Sequence, residues 1–176
     1  MQVEYLHKKW LMRYLKPILF LVLACLLFTG SSEKEVRLTE GVQLGNLAPG
    51  INLQDVDLKG NTFVLLQFWA AYDARSRMMN AQMCNVVSRL KTDNVRLISI
   101  SLDESKAVFE GIVKAEQLDP ATQFNDAQGK DSEIFKNYRL KSGFANWLIN
   151  SEGIIVAKNV NPKEIFGYIE GQNPKE

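Results

Sequence analysis

The apolar run from Pro17 to Phe28 contains no charge, and the stretch before it carries Lys8, Lys9, Arg13 and Lys16. A basic head followed by an apolar segment shorter than the ~20 residues of a spanning helix predicts a secretory signal over a permanent anchor. Met12 to Lys16 already forms a compact basic head, so a start at Met12 fits the pattern as well as Met1. Ser31 to Glu40 is polar and mixed in charge, and reads as a tether. From Val42 onward the periodicity is that of a folded domain. Leu53 to Leu58 alternates apolar and polar, predicting an edge strand, and Lys59-Gly60-Asn61 turns the chain into Phe63 to Phe68, a run of buried-strand character. Between Ala74 and Leu90, Met79, Met83, Val86, Val87 and Leu90 recur every three or four residues, so a helix with one apolar stripe is expected. Val95 to Ser101 is the next strand. Asp103-Glu104-Ser105 starts a helix over Lys106 to Glu116, and Pro120 ends that connection. Gln123 to Asp126 reads as a short segment before a turn, and Ser132 to Tyr138 as a short helix. Asn146 to Asn150 and Gly153 to Val160 flank Ser151-Glu152 as a hairpin, and Pro162 opens a last helix reaching about Glu170. Strands alternating with helices predict an α/β fold with parallel pairing.

Length and composition narrow the function. The chain has 176 residues, 23% charged and 46% hydrophobic, enough for one ordinary domain plus a targeting segment. The divisions are 1–30, signal peptide or membrane anchor; 31–41, tether; 42–170, the domain; and 171–176, a tail. Net charge is +1, with no Lys/Arg cluster interleaved with aromatics evident in the globular part, so nucleic acid is not the expected partner. The cysteines are Cys25, inside the apolar segment, and Cys84. At most one thiol remains in the domain, so an intramolecular dithiol cycle cannot run. The single histidine, His7, precedes the apolar segment, which removes Cys–His, Ser–His and multi-histidine zinc sites. No metal or cofactor is expected.

Phe68-Trp69-Ala70-Ala71-Tyr72-Asp73-Ala74-Arg75-Ser76-Arg77 joins the buried strand to the first helix. Such a turn presents free backbone N–H groups at the end of the sheet, where α/β proteins usually place their chemistry. The stretch resembles the active-site loop of the thioredoxin superfamily, in particular the TlpA-like extracytoplasmic thiol:disulfide interchange proteins, whose loop reads Phe-Trp-Ala-x-Trp-Cys-x-x-Cys-Arg. Tyr72 stands at the second tryptophan, and Asp73 and Ser76 at the cysteines. The resemblance extends from Val42 to Ile169, including Ala48-Pro49 ahead of the first strand. It implies a thioredoxin-like, three-layer α/β/α fold with a central mixed sheet and an added N-terminal edge strand. It also implies a groove-shaping cis-proline before the strand Asn146-Trp147-Leu148-Ile149-Asn150. That position holds Phe144 or Ala145, where a cis bond would cost about 3 kcal/mol, so a trans loop and a reshaped groove are expected. Val22-Leu23-Ala24-Cys25 is similar to a bacterial lipobox, while Thr29, Gly30 and Ser31 offer an ordinary cleavage site. Both imply export to the cell envelope, on the periplasmic side.

A thioredoxin-type dithiol needs a thiolate stabilised at a helix N-terminus and a second thiol to resolve the mixed disulfide. Asp73 and Ser76 can do neither. Asp73 reads as an N-cap contributing about 1 kcal/mol, with Ser76 sharing its turn. Cys84, two turns into the helix beside Met83 and Val87, reads as a partly buried thiol of ordinary or raised pKa, away from where a peroxiredoxin would need it. Trp69, Tyr72, Phe144 and Trp147 are expected near one another, the tryptophans in the core and Tyr72 and Phe144 exposed. Tyr72, Asp73, Arg75, Arg77 and Phe144 then form a candidate docking surface, with Arg75 and Arg77 its positive edge. The function expected is a redox-inactive envelope protein that binds a protein or peptide, reaching the membrane through its N-terminal segment if that is retained or lipidated. The alternatives are a thiol-disulfide oxidoreductase or peroxiredoxin-like protein using Cys84 with a partner thiol, and a structural subunit of an envelope complex.

Overall fold

The structure, a computed structural model, describes residues 38–53, 63–90 and 92–171, with side chains to residue 169. The signal segment with Cys25, most of the tether and the edge strand expected after Leu53 lie outside the described residues. Strand β1 (Phe63–Trp69) leads into helix α1 (Ala74–Arg89), then β2 (Val95–Ser101) and α2 (Lys106–Ala115). A 3₁₀ turn at Pro120–Thr122 precedes β3 (Gln123–Asn125), and α3 (Glu133–Asn137) lies between 3₁₀ turns at Gly129–Asp131 and Leu140–Ser142. β4 (Asn146–Ile149) and β5 (Ile155–Lys158) form the hairpin. A 3₁₀ turn at Pro162–Glu164 starts the last helix, α4 (Ile165–Gly171). No helix among the described residues is long and apolar enough to cross a membrane.

The five strands lie in the order β3-β2-β1-β4-β5. β1 runs parallel to β2, from Phe63 opposite Val95 to Trp69 opposite Ser101, and antiparallel to β4. The sheet is therefore mixed, with parallel pairing on one side of β1 only. Gln123 to Asn125, read from the sequence as a short segment, is a strand pairing in parallel with the end of β2. Three residues are too few to show a period, and only the partner makes them a strand.

β1 sits in the middle with both faces covered, which is why its sequence is almost unbroken in apolar residues. Side chains alternate between the faces. Val64, Leu66 and Phe68 pack with Ile98, Ile100, Trp147 and Ile149 against Ile134 of α3 and Tyr138, which caps that helix, and against Val42 and Ala48. On the other face Leu65 and Leu148 meet Met83 of α1 and Ile165 and Ile169 of α4, while Trp69 packs on Phe109 and Val113 of α2. Helices thus cover both faces, a three-layer arrangement. The lead-in chain satisfies two buried aromatics: Tyr138 Oη donates to the Pro49 carbonyl (2.7 Å) and Trp147 Nε1 to that of Val42 (3.2 Å).

Candidate functional site

Asp73 occupies the cap of α1 in an extended conformation, and its carboxylate accepts the Ser76 N–H at 2.7 Å. Ser76 is buried; its hydroxyl donates to the Asp73 carbonyl (3.1 Å) and accepts the Ala70 N–H (3.3 Å). Both side chains at the head of the helix are therefore committed to backbone groups. The loop is held from the sheet as well. Asp103, buried just beyond β2, accepts the Ala71 N–H with both carboxylate oxygens at 3.0 and 2.8 Å and takes a hydrogen bond from Ser101 Oγ at 2.7 Å. Sequence reading used Asp103 only as a helix-start signal. Its place at the end of a strand parallel to β1 is the clue that could have marked it.

Beside this turn is a cleft of about 490 Å³. Asp73, Arg75, Ser76 and Met79 line it from α1, Gly143, Phe144 and Ala145 from the loop before β4, Lys158 to Val160 from the end of β5, with Arg139 at its rim. No peptide bond among the described residues is cis, so the loop through Phe144 and Ala145 runs trans. Phe144 is half-buried and tilts against Tyr72, ring centroids 6.3 Å apart, while Tyr72 itself is 63% exposed. Partial desolvation, then the nearby carboxylates of Asp103, Asp73 and Glu104, push the Tyr72 phenol above its ordinary value, so it stays neutral. At the buried side of the cleft lies Gln67, 1% exposed; its Nε2 donates to the Phe68 carbonyl, and its Oε1 has no partner.

Two expectations need correction. Arg77 does not edge the cleft with Arg75: its guanidinium pairs with Glu116 at the end of α2 and donates to the Ala71 carbonyl (3.4 Å), bracing the loop from the far side. The cations that join Arg75 at the cleft are Arg139 and Lys158, which sequence reading missed because they come from separate, distant segments. Trp69 and Trp147 are both buried, but they do not cluster. Trp69 faces α2, with its ring 6.0 Å from Phe109, and Trp147 lies on the opposite face of the sheet beside Phe68 and Tyr138.

Cys84 is half-buried and does not line the cleft. Gln123 Nε2 donates to its sulfur (3.3 Å), and the thiol approaches Asn80 Oδ1 (3.7 Å), which also accepts Ser99 Oγ at 2.5 Å. Burial is the main cause that pushes this thiol up, favouring the protonated form. Among the described residues no three His, Cys, Asp or Glu side chains are grouped as a metal would require.

No family model matches the chain. A crystal structure of a thioredoxin-like protein from Parabacteroides distasonis is similar over 76% of this chain and 99% of its own, at 43% identity and a TM-score of 0.73. The chain belongs to the thioredoxin-like superfamily. Within it, this thioredoxin-like chain resembles the thiol-disulfide oxidoreductase ResA of Bacillus cereus, 25% identical over an alignment 146 positions long that covers 77% of this chain and 82% of that protein. It also resembles the C-terminal domain of a proposed thiol-disulfide oxidoreductase from Bacteroides thetaiotaomicron, with 26% identity, 74% and 95% coverage and a TM-score of 0.64. Neither cysteine of this thioredoxin-like chain lies in the loop between β1 and α1.

Proposed function

We propose that this protein is a redox-inactive thioredoxin-like domain, exported to the bacterial cell envelope, which binds a protein or peptide partner at the cleft between α1 and the loop before β4. The observation that carries this reading is the turn at Asp73 and Ser76. A carboxylate and a buried hydroxyl stand where the family's loop carries its thiols, and both are spent on backbone hydrogen bonds. Neither can form a mixed disulfide. What remains is a shaped cleft with aromatic groups and cations at its rim, suited to docking. Export is inferred from the apolar segment Pro17 to Phe28, with membrane attachment if that segment is retained or Cys25 is lipidated.

A second reading, that the protein is itself a thiol-disulfide oxidoreductase acting through Cys84 and a partner's thiol, is favoured by the names of its relatives. Against it stands the half-buried, protonated thiol away from the helix N-terminus. Reduction of an insulin-like disulfide substrate with a dithiol as electron donor separates the two. No turnover above the uncatalysed rate is expected, and turnover that vanishes in Cys84→Ser would overturn the first reading in favour of the second. Capture of envelope proteins by the wild-type chain, lost in Phe144→Ala, tests the docking half.

A further inference from the structure

We infer that the docking segment of the partner is acidic, and that it is gripped by a basic channel extending from the cleft into a second hollow around Phe135; the inference rests on the binding reading above. The second hollow, about 660 Å³, is lined by Lys130, Phe135, Lys136, Arg139, Lys141 and Ser142, with no carboxylate among them. Arg139 and Ser142 also line the first cleft, so the two hollows adjoin. Together they gather six exposed cations, Arg75, Lys130, Lys136, Arg139, Lys141 and Lys158, against one carboxylate, Asp73, which caps α1.

The whole chain carries a net charge of only +1, so this is local segregation of charge. None of the six forms an ion pair with a carboxylate among the described residues, where the two ion pairs are Arg77–Glu116 and Lys106–Glu110. Lys136 Nζ donates to the Asp131 carbonyl, while Lys130 and Lys158 lie over the rings of Tyr72 and Trp147. Those contacts orient the ammonium groups and leave their charge uncancelled. Uncompensated charge of one sign in adjoining hollows selects and steers a partner of the opposite sign.

The shape favours a polypeptide over other polyanions. Phe135 and Phe144 are each half-buried, which leaves Tyr72 as the one exposed aromatic beside the channel, where a single-stranded nucleic acid would stack successive bases on several open rings. A concave channel does not match a flat bilayer surface. An extended segment with carboxylates to meet the cations, and an apolar side chain to meet Phe135 and Phe144, fits both.

Arg139 at the junction offers a clean test. It sits in the left-handed region, φ +54°, just past Tyr138, the cap of α3, a position where glycine is easier to accommodate. Arg139→Gly therefore removes the central cation while relieving backbone strain, so lost binding cannot be blamed on a failed fold. Fluorescence anisotropy of a labelled peptide of alternating Glu and Leu is compared with matched Gln/Leu and Lys/Leu peptides, using the full-length purified protein. The acidic peptide is expected to bind about tenfold tighter than the neutral one, and to weaken as salt rises from about 50 to about 300 mM. Arg139→Gly should lower that affinity about fivefold or more with thermal stability unchanged or higher, and Arg139→Lys should retain most of it. Equal binding of acidic and neutral peptides, abolished by Phe144→Ala but not by Arg139→Gly, would overturn the acidic selection while leaving a docking cleft in place. Failure of all the peptides to bind, or Arg139-dependent binding of oligo-dT or phosphatidylglycerol vesicles in preference to the acidic peptide, would overturn it outright.

Discussion

Replacing Asp73 by alanine removes one hydrogen bond and tests what occupies the head of α1. The carboxylate accepts the Ser76 N–H at 2.7 Å, and Ser76 is only 5% exposed, so water has little access to the donor left behind. Loss of an N-cap typically costs about 0.5–2 kcal/mol, and the poor access to water places this one toward the upper part, about 1.5 kcal/mol. The Ser76 hydroxyl keeps its bond to the Asp73 carbonyl in the variant, because that partner is backbone, which limits the damage to the cap itself. For a domain of this size the change corresponds to a fall in Tm of about 4–6 °C. Urea unfolding followed by tryptophan fluorescence measures it, since Trp69 and Trp147 are both buried. Asp73→Asn should recover most of the loss, because an amide oxygen can accept the same bond. If Asp73→Ala leaves stability unchanged and instead abolishes binding of the partner, the capping account is wrong and Asp73 belongs to the recognition surface.

Other expectations follow from the same geometry. Asp73→Cys with Ser76→Cys should form a disulfide under mild oxidation, since residues one turn apart at a helix start fall within bridging distance. Thiol counting checks this, and reductase activity should stay poor until Phe144 or Ala145 is changed to proline. Cys84 should react with iodoacetamide more slowly than a free cysteine at mildly alkaline pH, because burial raises its pKa. As its folded pKa lies above the unfolded one, stability is full below the ordinary thiol range and declines as pH rises through it towards the folded value, a decline that Cys84→Ala should remove. Gln67→Leu should leave stability unchanged or raise it by about 1 kcal/mol in denaturant unfolding, because it deletes a buried acceptor that has no partner; a marked loss would mean that an unseen group satisfies it. Intact mass from membrane and soluble fractions should show trimming of the N-terminal segment or a lipid addition at Cys25; a chain retaining Arg13 onward would argue for an uncleaved anchor.

Features whose causes lie within a few neighbouring residues were legible in the sequence. The apolar run of β1, the stripe through Met79, Met83 and Val87, and the cap at Asp73 each depend on a strand, a helix face or a single turn. The hairpin at Ser151-Glu152 was legible for the same reason. What the tertiary structure decided depends on pairs far apart in the chain. Gln123 to Asn125 became a strand only by pairing with β2, and Arg77 was drawn from the cleft by Glu116, 39 residues away. The Asp103 carboxylate braces Ala71 across 32 residues because parallel pairing puts the ends of β1 and β2 side by side. Trp147 is opposite Leu66, on the face away from Trp69, through an antiparallel register that periodicity alone does not set. The basic channel is the clearest case. Arg75, Arg139 and Lys158 come from a helix, a turn and a strand end, and only the packing of those elements puts their charges around one cleft.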